Sequence, residues 1–378
     1  MSHAGFAQTE NAYFNYLADA FLHGQLHLRL YPSSTSDLAY YHERLYLYWP
    51  PFPAVLLMPL VAIFGVGVSD VTFTAIIGAI TVALTAVFVA ALHETHIAPL
   101  SSERRALLVT SIAFGSVVLI LSPAGSVWFT AQLIGWGCVL LAAIATLRIR
   151  GRWGYFFTGL ALGCALATRN SLLFNGIWLA YYLLRMDWHR SLRERLVRVA
   201  CGLAPVMVAI GLLGWYNMVR FGSLLETGLA WHNVNAFFRP DFERYGVFNL
   251  HYLGTNLWYQ FWSYPVFTPL AEQSWLGGGL FWMTPILLAA PWAIIRRRRD
   301  PLVWMLLLSA VVVYIPIGLL MGTGWVTYGP RYLLDLLAPL LVLTAIGMQH
   351  WPRILIVILT IIGCATYIIG SRLWLLAF

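Results

Sequence analysis

Residues 70–92 have the sequence DVTFTAIIGAITVALTAVFVAAL, in which no charged side chain follows Asp70. A helix needs about 20 predominantly apolar residues to cross the hydrocarbon core of a bilayer, so this stretch is long enough to span a membrane. Nine further apolar segments predict crossings at 104–122, 127–147, 153–168, 171–185, 199–218, 277–295, 301–322, 331–349 and 353–371. The sequence therefore predicts an all-α polytopic membrane protein with about ten transmembrane helices.

The composition of the whole chain agrees with a membrane protein. Of its 378 residues, 60% are hydrophobic and only 10% are charged, whereas soluble domains carry about 25% charged residues. This composition excludes soluble enzymes, zinc fingers and nucleic-acid-binding domains. The aromatic content of 15% indicates many membrane–water interfaces or a wide external vestibule, because Trp and Tyr concentrate at headgroup depth.

The distribution of the basic residues indicates the membrane topology. All 23 are Arg and none is Lys, which excludes a lysine nucleophile or Schiff base. Fifteen of them lie in five groups between the predicted helices, at 104–105, 148–152, 185–198, 296–299 and 353. Because short cytoplasmic loops retain Arg, ten crossings place all five groups in the cytoplasm. The net charge of +8 is then explained by topology rather than by a polyanionic partner.

Two long polar segments divide the chain. We predict an external segment over 1–50, an N-terminal transmembrane module over 51–218, an aromatic-rich external loop over 219–276 and C-terminal transmembrane helices over 277–378. The apolar run 51–66 contains three prolines and covers only about 24 Å of a 30 Å core, so we prefer an interfacial position for it. If it spans instead, residues 1–50 are cytoplasmic, or a first membrane helix is missing before residue 1.

The first polar segment contains candidate catalytic acids. Its carboxylates are Glu10, Asp19, Asp37 and Glu43. Apolar side chains recur on one face of residues 13–23, which predicts an amphipathic helix at the membrane surface. Glu10 precedes this helix, and it is either a solvated cap or a functional carboxylate just above the lipid headgroups.

Two arginines outside the topological groups are candidates for a lipid phosphate. Arg169 and Arg331 lie at the predicted outer ends of helices, and a guanidinium binds phosphate through two parallel hydrogen bonds. For Arg169 the alternative is a simple turn between two helices. For Arg331 it is an ion pair with Asp335, four residues later. Asp335 lies in an apolar helix, so it must face the bundle interior or a partner.

The outer loops also contain groups suited to a carbohydrate, whose rings present apolar faces and hydroxyl edges. Aromatics alternate with amides and histidines between 219 and 276, although those from 258 to 275 also suit an interfacial belt. We assign substrate binding to His232, Asn233, Trp325 and Tyr328.

Several short motifs occur in a fixed order between residues 10 and 350. After the acid at Glu10 come FLHG (21–24), YWPPFPAVLLMPLVAIFG (48–65), GLALGCALATRN (159–170) and GPRYLLDLLAP (329–339). This order resembles bacterial glycosyltransferases of the C superfamily, which includes protein O-mannosyltransferases and the aminoarabinose transferases of lipid A. The resemblance implies transfer of a sugar from a polyprenyl-phosphate donor to a glycan, lipid or protein acceptor at the outer face of the bacterial inner membrane.

The resemblance also implies residue roles. Glu10 lies nearest the family's catalytic acid by its distance from Gly24, and Asp19 is its rival as general base. The departing lipid phosphate needs only cationic neutralisation, which Arg169 and Arg331 would supply. No cofactor and no protein-bound metal are expected, although a divalent ion stays open. The chain departs from the family at Trp49, where some relatives have a basic residue, and in having a single acid at Glu10 instead of an Asp-Glu pair.

Two other function classes fit a many-helix chain with Arg at lipid depth. One is a polyprenyl-lipid transporter or flippase, which the lack of an internal sequence repeat disfavours. The other is a non-catalytic subunit of an envelope-assembly complex. Both would tolerate loss of Glu10 and Asp19, whereas sugar transfer would not.

Overall fold

The computed structural model describes residues 7–265, 278–324 and 327–377. The fold is a helical bundle, and only one short antiparallel hairpin, Ala39–Tyr41 (β1) with Arg44–Tyr46 (β2), interrupts it in these ranges. The α-helices, numbered along the chain, are α1 (Tyr13–Leu22), α2 (Phe52–Phe64), α3 (Asp70–Glu94), α4 (Ser102–Phe114), α5 (Val118–Leu121), α6 (Ser126–Arg148), α7 (Gly151–Leu166), α8 (Gly176–Met186), α9 (Leu192–Phe221), α10 (Arg239–Tyr245), α11 (Leu253–Leu257), α12 (Leu280–Met283), α13 (Ala289–Arg296), α14 (Pro301–Gly318), α15 (Leu337–Gly347) and α16 (Arg353–Ala377).

Short 3-10 turns extend or connect several of these helices. They comprise Asn170–Asn175, Leu229–Trp231, Leu250–Tyr252, Pro285–Leu288, Arg331–Leu336 and Met348–His350, and a π turn covers Trp258–Trp262. The turn Arg331–Leu336 runs directly into α15, and Asn170–Asn175 runs into α8. Both therefore lie at the start of an apolar helical segment.

Six helical segments of the described chain are long and apolar enough to cross a membrane. They are Asp70–Glu94, Ser126–Arg148, Leu192–Phe221, Pro301–Gly318, Arg331–His350 and Arg353–Leu373. The chain is therefore a multi-pass membrane protein, but the predicted count of about ten crossings is not confirmed. The other four predicted segments contain shorter pieces: 104–122 is divided at Gly115–Val117, α7 has 16 residues, and 3-10 turns interrupt 171–185 and 277–295.

The five Arg groups meet at one end of the bundle, which we call the Arg pole (residues 94–105, 148–152, 185–198, 296–300 and 348–353). Its contacts are Arg148 with Glu94, Arg353 with Glu103, Arg185 with Asp300, Arg104 with the carbonyls of Met348 and Trp351, and Arg297 with the carbonyl of Ile97. This shared position agrees with the alternation of Arg-rich and Arg-poor loops. The cytoplasmic location of the Arg pole stays a prediction.

The two long polar segments meet at the opposite end, which we call the site pole (residues 7–50, 66–70, 122–127, 167–171, 219–252, 319–324 and 327–331). The backbone N–H of Asn233 donates to the carbonyl of Leu38 at 2.8 Å, and that of Asp37 donates to the carbonyl of Asn233 at 3.1 Å. The loop after α9 is therefore paired with the first segment, although the domain boundaries predicted from the sequence stay predictions.

Helix α2 begins and ends at the site pole. At its start, the N–H of Phe52 donates to the carbonyl of Ala167 at 2.9 Å. Just beyond its end, the carbonyl of Val66 accepts hydrogen bonds from the side chains of Gln8 and Asn15 at 2.6 and 3.1 Å. The helix has 13 residues and is about 20 Å long. Since both of its ends contact the site pole, its placement agrees with the preferred interfacial position for 51–66.

Helix α6 forms the centre of the bundle, and its Trp136 is almost completely buried. Helix α9 lies at the periphery, where it packs closely on α7. A Cβ atom at Gly159 of α7 would overlap the carbonyl oxygen of Gly202 in α9. Glycine at this crossing therefore permits the backbones to approach, as small residues do between membrane helices.

Candidate active site at the site pole

Glu10 is a free carboxylate on a fixed stretch of backbone. Its side chain is exposed, and it forms no hydrogen bond or ion pair with another residue of the described ranges. On either side of it, the N–H of Thr9 donates to Asp70 at 2.9 Å and the carbonyl of Asn11 accepts from the N–H of Val127 at 3.0 Å. The Glu10 side chain thus faces solvent just before α1.

Asp19, the rival acid, is engaged inside the protein. Its carboxylate oxygens accept hydrogen bonds from Nε and Nη2 of Arg29, each at 3.0 Å, and Nδ1 of His23 lies 3.6 Å from Oδ1. The residue is buried in α1. Arg29 therefore already binds both carboxylate oxygens of Asp19.

Asp37 is a third acid at this pole, and sequence reasoning did not select it. Its Oδ2 accepts a hydrogen bond from Nε1 of Trp128 at 3.1 Å, and its Oδ1 lies 2.9 Å from Nε2 of His232. These contacts join the first segment to α6 and to the loop after α9. Asp37 has φ of 63°, a left-handed conformation that Asp adopts more readily than most residues, and the STSD sequence before it was the only local signal.

Tyr13 lies within electrostatic range of Asp37 and Glu10. Its hydroxyl donates to the carbonyl of Ser36 at 2.6 Å and accepts from Nδ2 of Asn11 at 2.7 Å. Burial raises the pKa of Tyr13 above its ordinary value, and the negative charges of Asp37 and Glu10 add to this rise. The two carboxylates therefore act on the same phenol group.

Tyr48 connects the acids to the arginines. Burial raises the pKa of its hydroxyl well above the ordinary value; the charge of Asp37 and the neighbouring Tyr332 raise it further, and the charge of Arg331 lowers it. Its ring also contacts the edge of the His232 ring, with 4.8 Å between centroids. Asp37 and Arg331 thus face a common space around Tyr48.

Arg331 is a buried cation without a carboxylate partner in the described parts of the chain. Its Nε donates to the carbonyl of Gly324 at 2.9 Å and its Nη1 to Oε1 of Gln132 at 3.4 Å. Its guanidinium lies over the rings of Tyr332 and Phe129, 4.7 and 5.4 Å from their centroids.

Asp335 pairs with Arg169, so the predicted alternative of an Arg331–Asp335 ion pair is wrong. Nε of Arg169 lies 3.1 Å from both oxygens of Asp335, and its Nη2 donates to Oδ2 at 3.0 Å. Ser171 adds a hydrogen bond to the same oxygen at 2.8 Å. The side chains are only 9% and 1% exposed. An i, i+4 pair is not formed because residue 331 begins a 3-10 turn, in which residues four apart do not share a face.

Arg169 also occupies the turn between α7 and Asn170–Asn175, as its alternative interpretation predicted. Its guanidinium lies 6.0 Å from the ring centroid of Trp49 and 5.7 Å from that of Tyr332. Tyr332 therefore contacts both guanidinium groups. Of the two, only Arg169 forms an ion pair with a carboxylate of the described residues.

The four predicted substrate-binding residues have different environments. His232 contacts Asp37 through Nε2, and its Nδ1 is buried with no hydrogen-bond partner among the described residues. Asn233 is exposed and donates to the carbonyl of Thr35 at 3.1 Å. Tyr328 is fully buried against Tyr367 of α16. Trp325 lies outside the described residues.

We refer to Glu10, Tyr13, Asp37, Tyr48, His232, Arg331, Tyr332, Arg169 and Asp335 together as the acid–arginine cluster. Within the described ranges, no three His, Cys, Asp or Glu side chains come close enough to hold a metal ion. A carboxylate open to solvent and an uncompensated guanidinium at the same pole are suited to deprotonating one group and stabilising the negative charge of another.

Some solved structures have a similar architecture. The crystal structure of ArnT from Cupriavidus metallidurans bound to undecaprenyl phosphate matches with a TM-score of 0.53 and 14% sequence identity, over 92% of this chain and 57% of that chain. The chain therefore shares the fold of ArnT. This confirms the resemblance seen in the sequence motifs at the level of the fold.

The apo form of the same ArnT matches with a TM-score of 0.50 and 13% identity, over 92% of this chain and 56% of that chain. The present chain thus spans a little over half the length of ArnT. The archaeal oligosaccharyltransferase AglB from Archaeoglobus fulgidus, in complex with an inhibitory peptide and a dolichol-phosphate, matches at 13% identity and a TM-score of 0.44, over 97% of this chain and 52% of that chain. No protein-family model and no curated protein sequence matches the chain.

Proposed function

We propose that this protein is a membrane glycosyltransferase that moves a sugar from a polyprenyl-phosphate donor to an acceptor hydroxyl at the outer face of the bacterial inner membrane. The observation that carries the proposal is that two groups lie at the same pole of a C-superfamily fold. One is the exposed carboxylate of Glu10, and the other is the guanidinium of Arg331, which has no carboxylate partner among the described residues. The structural relative ArnT binds undecaprenyl phosphate, which supports the same class of donor lipid here.

In the proposed reaction, the acceptor oxygen attacks the anomeric carbon of the donor sugar. The bond between that carbon and the phosphate oxygen breaks, and its electron pair leaves with the polyprenyl phosphate. Glu10 takes the proton of the attacking hydroxyl. Arg331 stabilises the extra negative charge that develops on the departing phosphate, because fixed cations in a water-poor site act strongly on developing charge.

Arg169 has a secondary role in this proposal. Two of its guanidinium nitrogens are bound by Asp335, so its net electrostatic effect on a phosphate is weaker than that of Arg331. Its contact with Tyr332 holds the ring against which Arg331 also packs. We therefore assign Arg331 to the lipid phosphate and Arg169 to the support of the site, with a smaller direct contribution.

An apolar groove that extends to the site pole at Phe248 and Leu319 suits the donor's hydrocarbon chain. It has a volume of about 430 Å³ and is lined by Phe174, Phe248, Val312, Ile315, Pro316 and Leu319. Phe174 belongs to the 3-10 turn that directly follows Arg169, and the other residues lie on α14, just after it or in the loop 246–249. We propose that the first part of the prenyl chain lies in this groove while its phosphate reaches Arg331.

The test uses purified protein in lipid nanodiscs and a panel of undecaprenyl-phosphate-linked sugars, each with a labelled sugar, together with envelope extract as the source of acceptor. Wild-type protein should transfer one of the sugars, and Glu10→Gln should not. A flippase or a non-catalytic assembly subunit would show no sugar transfer with wild-type protein or with Glu10→Gln. Any transfer activity that does not depend on Glu10 would be the same in both proteins.

A further inference from the structure

Asp70 is a buried carboxylate at the start of α3, and it receives three hydrogen bonds. Its Oδ1 accepts from the backbone N–H of Thr9 at 2.9 Å, and its Oδ2 accepts from Oγ1 of Thr9 and from the N–H of Ser126, each at 2.6 Å. The residue is 2% exposed. No ion pair with a described cation balances its charge, so these donors and the N-terminal end of α3 stabilise it.

The backbone around Ser126 is shaped to reach the N-terminal segment. Gly125 and Ser126 have φ of 62° and 64°, and this left-handed region is unfavourable for a non-glycine residue such as Ser126. This turn aims the N–H of Ser126 at Asp70 and the next N–H, of Val127, at the carbonyl of Asn11. The strained turn therefore fastens the segment that contains Glu10.

Glu10 lies between the two fastened residues. Thr9, before it, is held by Asp70, and Asn11, after it, is held by Val127 and by a 2.7 Å hydrogen bond to the hydroxyl of Tyr13. Only the Glu10 side chain has no partner in the described structure. We propose that Thr9 and Asp70 are positioning residues, which fix the backbone of Glu10 so that its carboxylate meets the acceptor hydroxyl. This inference rests on the proposed function.

Positioning of this kind affects turnover more than binding, because a displacement of about 1 Å in a catalytic group can lower a rate by about 100-fold. Thr9→Val removes the hydroxyl that binds Oδ2 of Asp70 and keeps the shape of the side chain. We expect kcat to fall by about 10- to 100-fold, with the affinity for undecaprenyl phosphate unchanged. Thr9→Ser keeps the hydroxyl and should retain most of the wild-type kcat.

A matched control separates positioning from general destabilisation. Thr72 lies two residues after Asp70, and its buried Oγ1 has no hydrogen-bond partner in the described structure. Thr72→Val makes the same chemical change near the same carboxylate without touching the segment 9–11. It should leave kcat within about twofold of the wild-type value, a change that corresponds to less than about 0.5 kcal/mol.

The deciding measurement is a double-mutant cycle between Thr9→Val and Glu10→Gln, with kcat and undecaprenyl-phosphate affinity measured for each form. If Thr9 acts through Glu10, Thr9→Val should lower kcat in the wild-type background and have little further effect in Glu10→Gln. An equal loss in both backgrounds, or an equal loss of lipid-phosphate affinity, would overturn the positioning role and leave the proposed function intact. If Glu10→Gln keeps full activity, the assignment of Glu10 as the base is overturned, and this inference with it. If wild-type protein turns over none of the donors, the proposed function and this inference are both overturned.

Discussion

Replacing Arg331 with Gln tests the phosphate site with little disturbance of the surrounding charges. The guanidinium has no carboxylate partner within the described residues, so its removal leaves no buried anion behind. It does leave the Gly324 carbonyl without the donor that Nε supplies at 2.9 Å, and Oε1 of Gln132 without the more distant Nη1 at 3.4 Å. Loss of the shorter, charged hydrogen bond should lower the free energy of unfolding by about 1.5–3 kcal/mol.

The substitution should also weaken lipid binding. A hydrogen bond to a charged group contributes about 1.5–3 kcal/mol, which corresponds to an increase of about 10- to 150-fold in Kd for undecaprenyl phosphate. Arg331→Lys should recover only part of this affinity, because an ammonium group keeps the charge but lacks the planar fork. Lipid binding to protein in nanodiscs is measured by titration, with thermal unfolding of the same samples as a check on folding.

Arg169→Gln is the informative comparison. It removes the partner of a carboxylate that is 1% exposed, and an uncompensated buried charge destabilises a protein by about 3–5 kcal/mol. Its main effect should be on unfolding, and the double variant Arg169→Gln/Asp335→Asn should restore much of the stability. The reasoning is refuted if Arg331→Gln binds undecaprenyl phosphate as tightly as wild type, or if the two single variants lose stability and affinity in the same proportion.

Three further predictions concern stability, the donor chain and topology. Asp335→Asn should lower the free energy of unfolding by about 3–5 kcal/mol, measured by thermal or denaturant unfolding in detergent, and adding Arg169→Gln should reverse much of that loss. Ile315→Trp should fill the apolar groove and weaken binding of both undecaprenyl phosphate and geranyl phosphate but not of inorganic phosphate, whereas Ile354→Trp, at an exposed position of α16, should affect none of the three. Reporter fusions after residues 125 and 250 should be external and those after 190 and 298 cytoplasmic; a cytoplasmic signal at 250 would contradict the placement of the site.

Features that depend on local composition were predictable from the sequence. The apolar stretches marked the long helices, and the Arg groups correctly indicated which loops lie together at one pole. The short, proline-rich run 51–66 indicated a short helix at the interface, and both ends of α2 contact the site pole, but its interfacial position stays a prediction. Glu10 was selected from its position before the amphipathic stretch 13–23 and from its distance to Gly24, and both are read directly from the sequence.

Features that depend on contacts between distant residues were not predictable. The sequence suggested Arg331 as the partner of Asp335 because they are four residues apart, whereas the observed partner, Arg169, is 166 residues away. The contact of Asp37 with His232 spans 195 residues, and no local pattern points to it. The number of crossings depends on backbone breaks such as those at Gly115–Val117 and at the 3-10 turns, which hydropathy does not register, so the predicted count of about ten is not confirmed.

The most direct test of the account compares wild-type protein and Glu10→Gln in sugar transfer from undecaprenyl-phosphate-linked donors, with the Kd for undecaprenyl phosphate measured on the same samples. Glutamine keeps the shape of the side chain and removes the proton acceptor. The account predicts that turnover falls by about 10²- to 10⁴-fold, while the Kd stays within about twofold of the wild-type value. Full transfer activity in Glu10→Gln would contradict it.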